Sequence, residues 1–204
     1  MIRIDTVAAP LNRPSLLGPA IGLVRRALAL GLLGDEPVER LDLELVRGIA
    51  REASSVGIGR DAAVELLGRP TPARLGRLIG RLDEAMADSP LPERELAALA
   101  ETLGIDPLAE LLGISAVSLR RYIAGSRGVP DAVALRAHWL ALVSADLAGA
   151  YNEIGIRRWF ERPRSALGGR SPRDVLTGDW QPDDEPVVRV GQLAAAAAGA
   201  GGAT

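Results

Sequence analysis

Apolar residues recur at three- and four-residue spacing along almost the whole chain, and few segments alternate apolar with polar. A period near 3.6 marks helices with one apolar stripe, whereas a half-buried strand needs a period of two. Helices that each carry one apolar stripe are stable only when those stripes face one another, so the pattern predicts an all-α protein built as a helical bundle. With 204 residues, 48% of them apolar, the chain is long enough for one large domain or two small ones.

Glycine and proline punctuate the pattern where helices must begin and end. In the first half this predicts helices over 16–33, closed by Gly34; 42–55, capped by Asp42 with Gly57 beyond; 60–67, closed by Gly68; and 72–87, opened by Thr71-Pro72. Their stripes, such as Leu75, Leu78, Ile79 and Leu82, read as core. Residues 1–15 hold two prolines and no helical period, and are expected to be an extended arm. Further on, Pro90 and Pro92 open a helix to about Leu103, ended by Gly104. Asp106-Pro107 opens a short one ended by Gly113, and Ser115 opens another ended by Gly125. Asp131 caps a long helix bearing His138 and Trp139, and a helix around 150–161 stops before Pro163. A short helix starting at Ser171-Pro172 and a final valine-containing helix complete the chain.

Composition removes several function classes. There is no cysteine, hence no disulfide framework, thiolate metal site or thiol nucleophile. There is no lysine for a phosphate loop or Schiff base, a single histidine, and no HExxH. The glycines of GAGGAT lie in a terminal tail with no strand before them, so they are no dinucleotide fingerprint. Asp183-Asp184-Glu185 reads as a solvated linker, and His138 as a solvent-facing or core histidine. The expectation is a protein that is not an enzyme and holds neither cofactor nor metal. The longest apolar run, 16–34, is broken by Arg25-Arg26, too polar there for a bilayer span and a poor signal peptide. A cytoplasmic protein with no membrane association is therefore expected.

Charge and aromatic residues are unevenly placed. Residues 116–173 hold ten arginines against Asp131, Asp146, Glu153 and Glu161, while both flanks are acidic and the net charge is -2. Such a basic centre fits a local anionic partner, although arginine is also the only strong cation the chain uses. All six aromatic residues (Tyr122, Trp139, Tyr151, Trp159, Phe160 and Trp180) lie beyond residue 121. We divide the chain into an N-terminal helical extension of unknown role (1–88), a helix-turn-helix segment (89–130) and a C-terminal domain with a low-complexity tail (131–204).

The segment 107–125 has helix-turn-helix spacing: small Ala109 where two helices cross, Gly113 in the turn, and Leu119 with Ile123 facing the core. Ser115, Ser118, Arg120, Arg121 and, in the following loop, Arg127 are the candidate DNA-binding residues. An arginine fork matches O6 and N7 of guanine, and serine with backbone N–H groups at a helix start suits phosphate. Two short helices around a glycine also occur in bundles that never meet DNA.

The stretch 155–178 sets Trp159 beside Phe160 among arginines. Adjacent helical residues point about 100 degrees apart, so one ring is expected in the core and the other at a surface. Trp159, Phe160, Pro163, Leu167, Gly168, Gly169, Ser171, Pro172, Val175 and Leu176 spell W-F-x-x-P-x-x-x-L-G-G-x-[ST]-P-x-x-[VL]-L. Together with a helix-turn-helix just before it, this resembles the toxin-binding domain of Xre/MbcA/ParS-type antitoxins, over about residues 90–195. The resemblance implies a small C-terminal helical toxin-binding domain behind a Cro/repressor-like helix-turn-helix. It also implies an often dimeric antitoxin that holds a RES-domain, NAD-consuming toxin inactive and represses its own operon by binding operator DNA. On this resemblance the toxin-binding residues are Arg157, Arg158, Trp159, Arg164, Leu167, Gly168, Arg170, Val188 and Leu193.

The chain departs from that pattern in three places. Arg164 stands where the family commonly has asparagine, QLAAAAAGAGGAT replaces the usual final segment, and about 90 aromatic-free residues precede the helix-turn-helix. The tail could plug a toxin pocket or be a frayed helix end. The alternatives are a stand-alone helix-turn-helix transcriptional regulator without a toxin partner, and a helical adaptor that binds no duplex.

Overall fold

The computed structural model describes residues 2–34 and 37–201. The chain is mostly helical, 66%, and divides into two compact units, Met1–Pro90 and Leu91–Thr204.

The first unit corrects the sequence reading at its start. Instead of an extended arm, β1 (Ile2–Val7) pairs in parallel with β2 (Val38–Leu41), placing Thr6 against Arg40 and Val7 against Leu41. The ladder continues into Ala8, whose N–H donates to the Leu41 carbonyl at 2.9 Å. Ile2, Arg3, Ile4 and Asp5 do alternate, but β2 has only four residues, and the pairing depends on a partner more than thirty residues away. Between them runs α1 (Pro14–Ala29), which ends earlier than expected. Gly31, at φ +64°, donates to Leu28 O while Leu32 donates to Ala27 O, the paired bonds of a Schellman stop. Gly31, not Gly34, therefore closes this helix.

The helices α2 (Leu43–Ser55), α3 (Arg60–Leu67) and α4 (Pro72–Ala87) follow the expected bounds. Asp42 caps α2 by accepting the Leu45 N–H at 2.9 Å, whereas the Thr71 side chain makes no cap bond and α4 relies on Pro72 in its first turn. The expected stripe Leu75, Leu78, Ile79 and Leu82 is fully buried. An Arg26–Asp83 fork, at 2.7 and 3.2 Å, fastens α1 to α4.

Among its described residues the second unit is built from helices joined by loops, with no strand. It comprises α5 (Pro92–Leu103), α6 (Ile105–Leu111), α7 (Ala116–Ile123), α8 (Asp131–Leu147) and α9 (Glu153–Glu161). A 3-10 turn (Ser165–Leu167), α10 (Pro172–Val175) and α11 (Glu185–Gly201) follow. The helix α5 packs on α6, α7, α8 and α9, and α11 packs along α8. The alanine-rich segment expected as a low-complexity tail is the body of α11 up to residue 201, with Val187, Val190 and Ala194 buried. Alanine has the highest helix propensity, and here its small side chain lets α11 lie close to α8. Residues 202–204 of that tail lie outside the described residues.

Among the described residues no helix is long and apolar enough to cross a membrane.

Candidate functional site

Two surfaces of the second unit gather the sequence-selected residues. The first is α7 with its flanks. Ser115 is its N-cap: the hydroxyl accepts the Ser118 N–H at 3.1 Å and donates to Ser118 Oγ at 3.0 Å. Both serines are thus committed to starting the helix, with the hydrogen of Ser118 Oγ left for an outside acceptor. Leu119 is fully buried as expected, but the second inward residue is Tyr122, 3% exposed, while Ile123 is only half-buried. Arg120, Arg121 and Arg127 are all exposed, and the Arg127 guanidinium sits 5.7 Å from the Tyr122 ring centroid. No acid occurs within α7.

Holding α7 in place is a turn whose chemistry the sequence reading missed. Gly113, at φ +69°, donates to Glu110 O, and Ile114 donates to Ala109 O, so α6 also ends on a Schellman stop. Against this turn lies Arg136 of α8, which is 7% exposed. Its Nε donates to Trp180 O at 2.7 Å, Nη1 to Leu112 O at 3.3 Å, and Nη2 to the Asp179 carboxylate. The Trp180 indole N–H completes the clamp by donating to Leu111 O at 2.8 Å, and its ring meets Trp139 edge-on at 5.3 Å. Arg136 and Trp180 therefore satisfy the last carbonyls of α6, which a short helix leaves without partners. A signal existed: Arg136 and His138 are the two polar side chains in an otherwise apolar run of α8. His138 resolves as a core histidine, with Nδ1 2.7 Å from Oε1 of fully buried Glu95.

Comparison with known proteins decides nothing further. No family model, curated protein or solved structure matches the chain.

The second surface is formed by α9, the 163–172 loop, α10 and α11. Both aromatic rings expected to divide between core and surface are buried: Trp159 and Phe160 are each 3% exposed and meet edge-on at 5.3 Å. Leu167, 5% exposed, is likewise core. These residues hold the surface from beneath and present no side chain to a partner. Arg157 is half-buried, with Nη1 donating to Thr102 O at 2.8 Å, so it caps the end of α5. The half-buried Arg164 guanidinium stacks 4.6 Å above the Trp159 ring, and burial pulls its pKa below the ordinary arginine value. Its backbone closes the loop: Arg164 N–H donates to Arg170 O and Gly169 N–H to Arg164 O, both at 3.0 Å.

The residues left facing outward are Arg158, Gly168, Arg170 and Val188, with Leu193 half-buried. Gly168 turns the chain at φ +66°. The loop then enters α10 through a capping box, in which Asp174 accepts from the Ser171 hydroxyl and N–H. Those two bonds, and then the positive Arg170 and Arg173, hold the Asp174 carboxyl below its usual range. Arg173 in turn forks onto Glu110 of α6, and that hydrogen-bonded pairing lowers the Glu110 pKa and raises that of Arg173. Both surfaces are thus pinned to α6, one through Arg136 and Trp180, the other through Arg173. Among the described residues, no group of three or more His, Asp or Glu is placed to hold a metal ion.

Proposed function

We propose that the chain is a type II antitoxin that neutralises a RES-type, NAD-consuming toxin and represses its own operon by binding operator DNA. The observation that carries this reading is the pairing of two surfaces within one compact unit. A face of exposed arginines on α7, which we read as the second member of a helix-turn-helix, belongs to the same unit as a W-F-x-x-P…G-G-x-S-P segment in which Trp159, Phe160, Leu167 and Ser171 are buried. On α7, Arg120, Arg121 and Arg127 meet bases or phosphates, and a dimer spaces two such helices along the duplex. Toward the toxin, Arg158, Arg170, Gly168 and Val188 supply direct contact, while Trp159, Leu167, Arg164 and Arg157 shape the surface that carries them.

The division is tested by replacing Arg120 and Arg121 together with alanine. Duplex binding should weaken, and its salt dependence should flatten by roughly one unit for each phosphate that no longer meets an arginine. Rescue of growth and of cellular NAD on co-expression with the product of the adjacent gene should persist. Loss of both activities together would refute the division of labour. A second reading, a stand-alone regulator, is favoured by the burial of Trp159 and Leu167, which removes two of the side chains expected to anchor a toxin. It would show duplex binding with no co-purifying neighbour and no effect on NAD.

A further inference from the structure

The face that α7 turns outward is not purely cationic. Val117 is 56% exposed, among the most exposed large apolar residues of the chain. It lies one turn before Arg120 and Arg121, with exposed Ala124 a further turn on, so positions 117, 120, 121 and 124 form one stripe. The opposite face, Leu119 and Tyr122, is buried. A β-branched residue at an exposed helical position gains neither propensity nor burial within its own unit. Its natural use is contact with something that also takes the arginines.

An isopropyl group and guanidinium forks on one ridge match the major-groove edge of DNA, which presents guanine O6 and N7 acceptors alongside the 5-methyl of thymine. Along a helix, Val117 precedes Arg120 and Arg121 by about 4.5 and 6 Å. Base pairs are about 3.4 Å apart. The apolar contact and the guanidinium contact therefore fall one to two base steps apart.

We infer that Val117 is a specificity-determining residue that reads the 5-methyl group of a thymine one or two base steps from a guanine taken by Arg120 or Arg121. This rests on the duplex-binding reading above. It makes the site selective for DNA over RNA at that position, because uracil lacks the methyl group.

The test begins with duplexes selected from a random pool by the full-length chain. Each thymine of the selected site is then replaced by deoxyuridine, and affinity is measured at fixed salt for the wild type and for Val117→Ala. One replacement should weaken wild-type binding about fourfold, as burial of one methyl group predicts. The same replacement should leave Val117→Ala unchanged, and alanine, the better helix former, keeps α7 folded by circular dichroism. If duplexes are selected and bound with the usual salt dependence, but no thymine methyl matters or it matters equally to Val117→Ala, this inference is overturned and duplex binding stands. If no duplex is enriched and no salt-dependent binding occurs, the duplex-binding reading fails and this inference with it.

Discussion

Arg136 shows what single residues contribute here. Its charge is buried, yet every nitrogen has an acceptor, and two of the three are backbone carbonyls that would otherwise lack a strong donor. Replacing it with methionine keeps the volume and the fit beside the Trp180 ring but leaves Leu112 O and Trp180 O without this donor. Each buried polar group so orphaned costs about 1–3 kcal/mol. We expect Arg136→Met to lower the unfolding free energy by about 2–4 kcal/mol, read as a shifted urea midpoint at unchanged slope. An unchanged midpoint would mean that Trp180 alone holds the turn. This residue was visible in the sequence as a polar interruption of an apolar helix, but its partners were not, since Trp180 and Asp179 lie more than forty positions away. Trp159 is the converse case. The sequence reading named it as a toxin contact, whereas the structure shows a buried platform for Arg164. Spacing alone cannot tell which side of a helix the neighbours will cover.

At the scale of elements, helix ends were the most legible feature because they are set locally. Asp42, Ser115 and Ser171 each cap as a residue of their type should. The first helix ended at Ala29, four residues short of the expected end, because two glycines were available, and the choice between Gly31 and Gly34 is made by which one closes the paired bonds. The two strands were missed because their stabilisation is almost wholly non-local. Gly113 allows a direct test of a local device. A side chain there would have to adopt φ +69°, and its Cβ would lie 3.3 Å from Arg136 Nη1. Left-handed backbone costs an alanine about 1–2 kcal/mol, and displacing the arginine adds to it. Gly113→Ala should therefore destabilise the unit by at least that amount in urea unfolding, and Gly113→Asn by less, because asparagine tolerates this conformation. Equal effects of the two would assign the cost to contact with Arg136 and not to the backbone.

At the scale of the whole chain, every aromatic residue lies in the second compact unit, but the first of them is Tyr122, so the shift in composition falls about thirty residues inside the Pro90/Leu91 boundary and does not mark it. What each unit buries was no more legible, because a core is assembled from residues far apart in sequence. Within Leu91–Thr204, Leu96, Leu99, Leu119, Leu140, Phe160, Leu176 and Val190 come from α5, α7, α8, α9, the end of α10 and α11, and all are nearly or fully buried. A segment of this size with its own apolar core meets the usual conditions for folding alone. Residues 91–204 expressed by themselves should give helical circular dichroism and one cooperative urea transition, with a slope of about 1–3 kcal/mol per molar. Tryptophan emission is an independent probe of the same event, because Trp139, Trp159 and Trp180 all lie in this unit. Coincident transitions by the two signals establish a self-sufficient core, and both proposed surfaces can then be assayed on the fragment. Separate transitions, or none, would show that the core of this unit is completed only in the full chain, and would place residues 1–90 among its structural requirements.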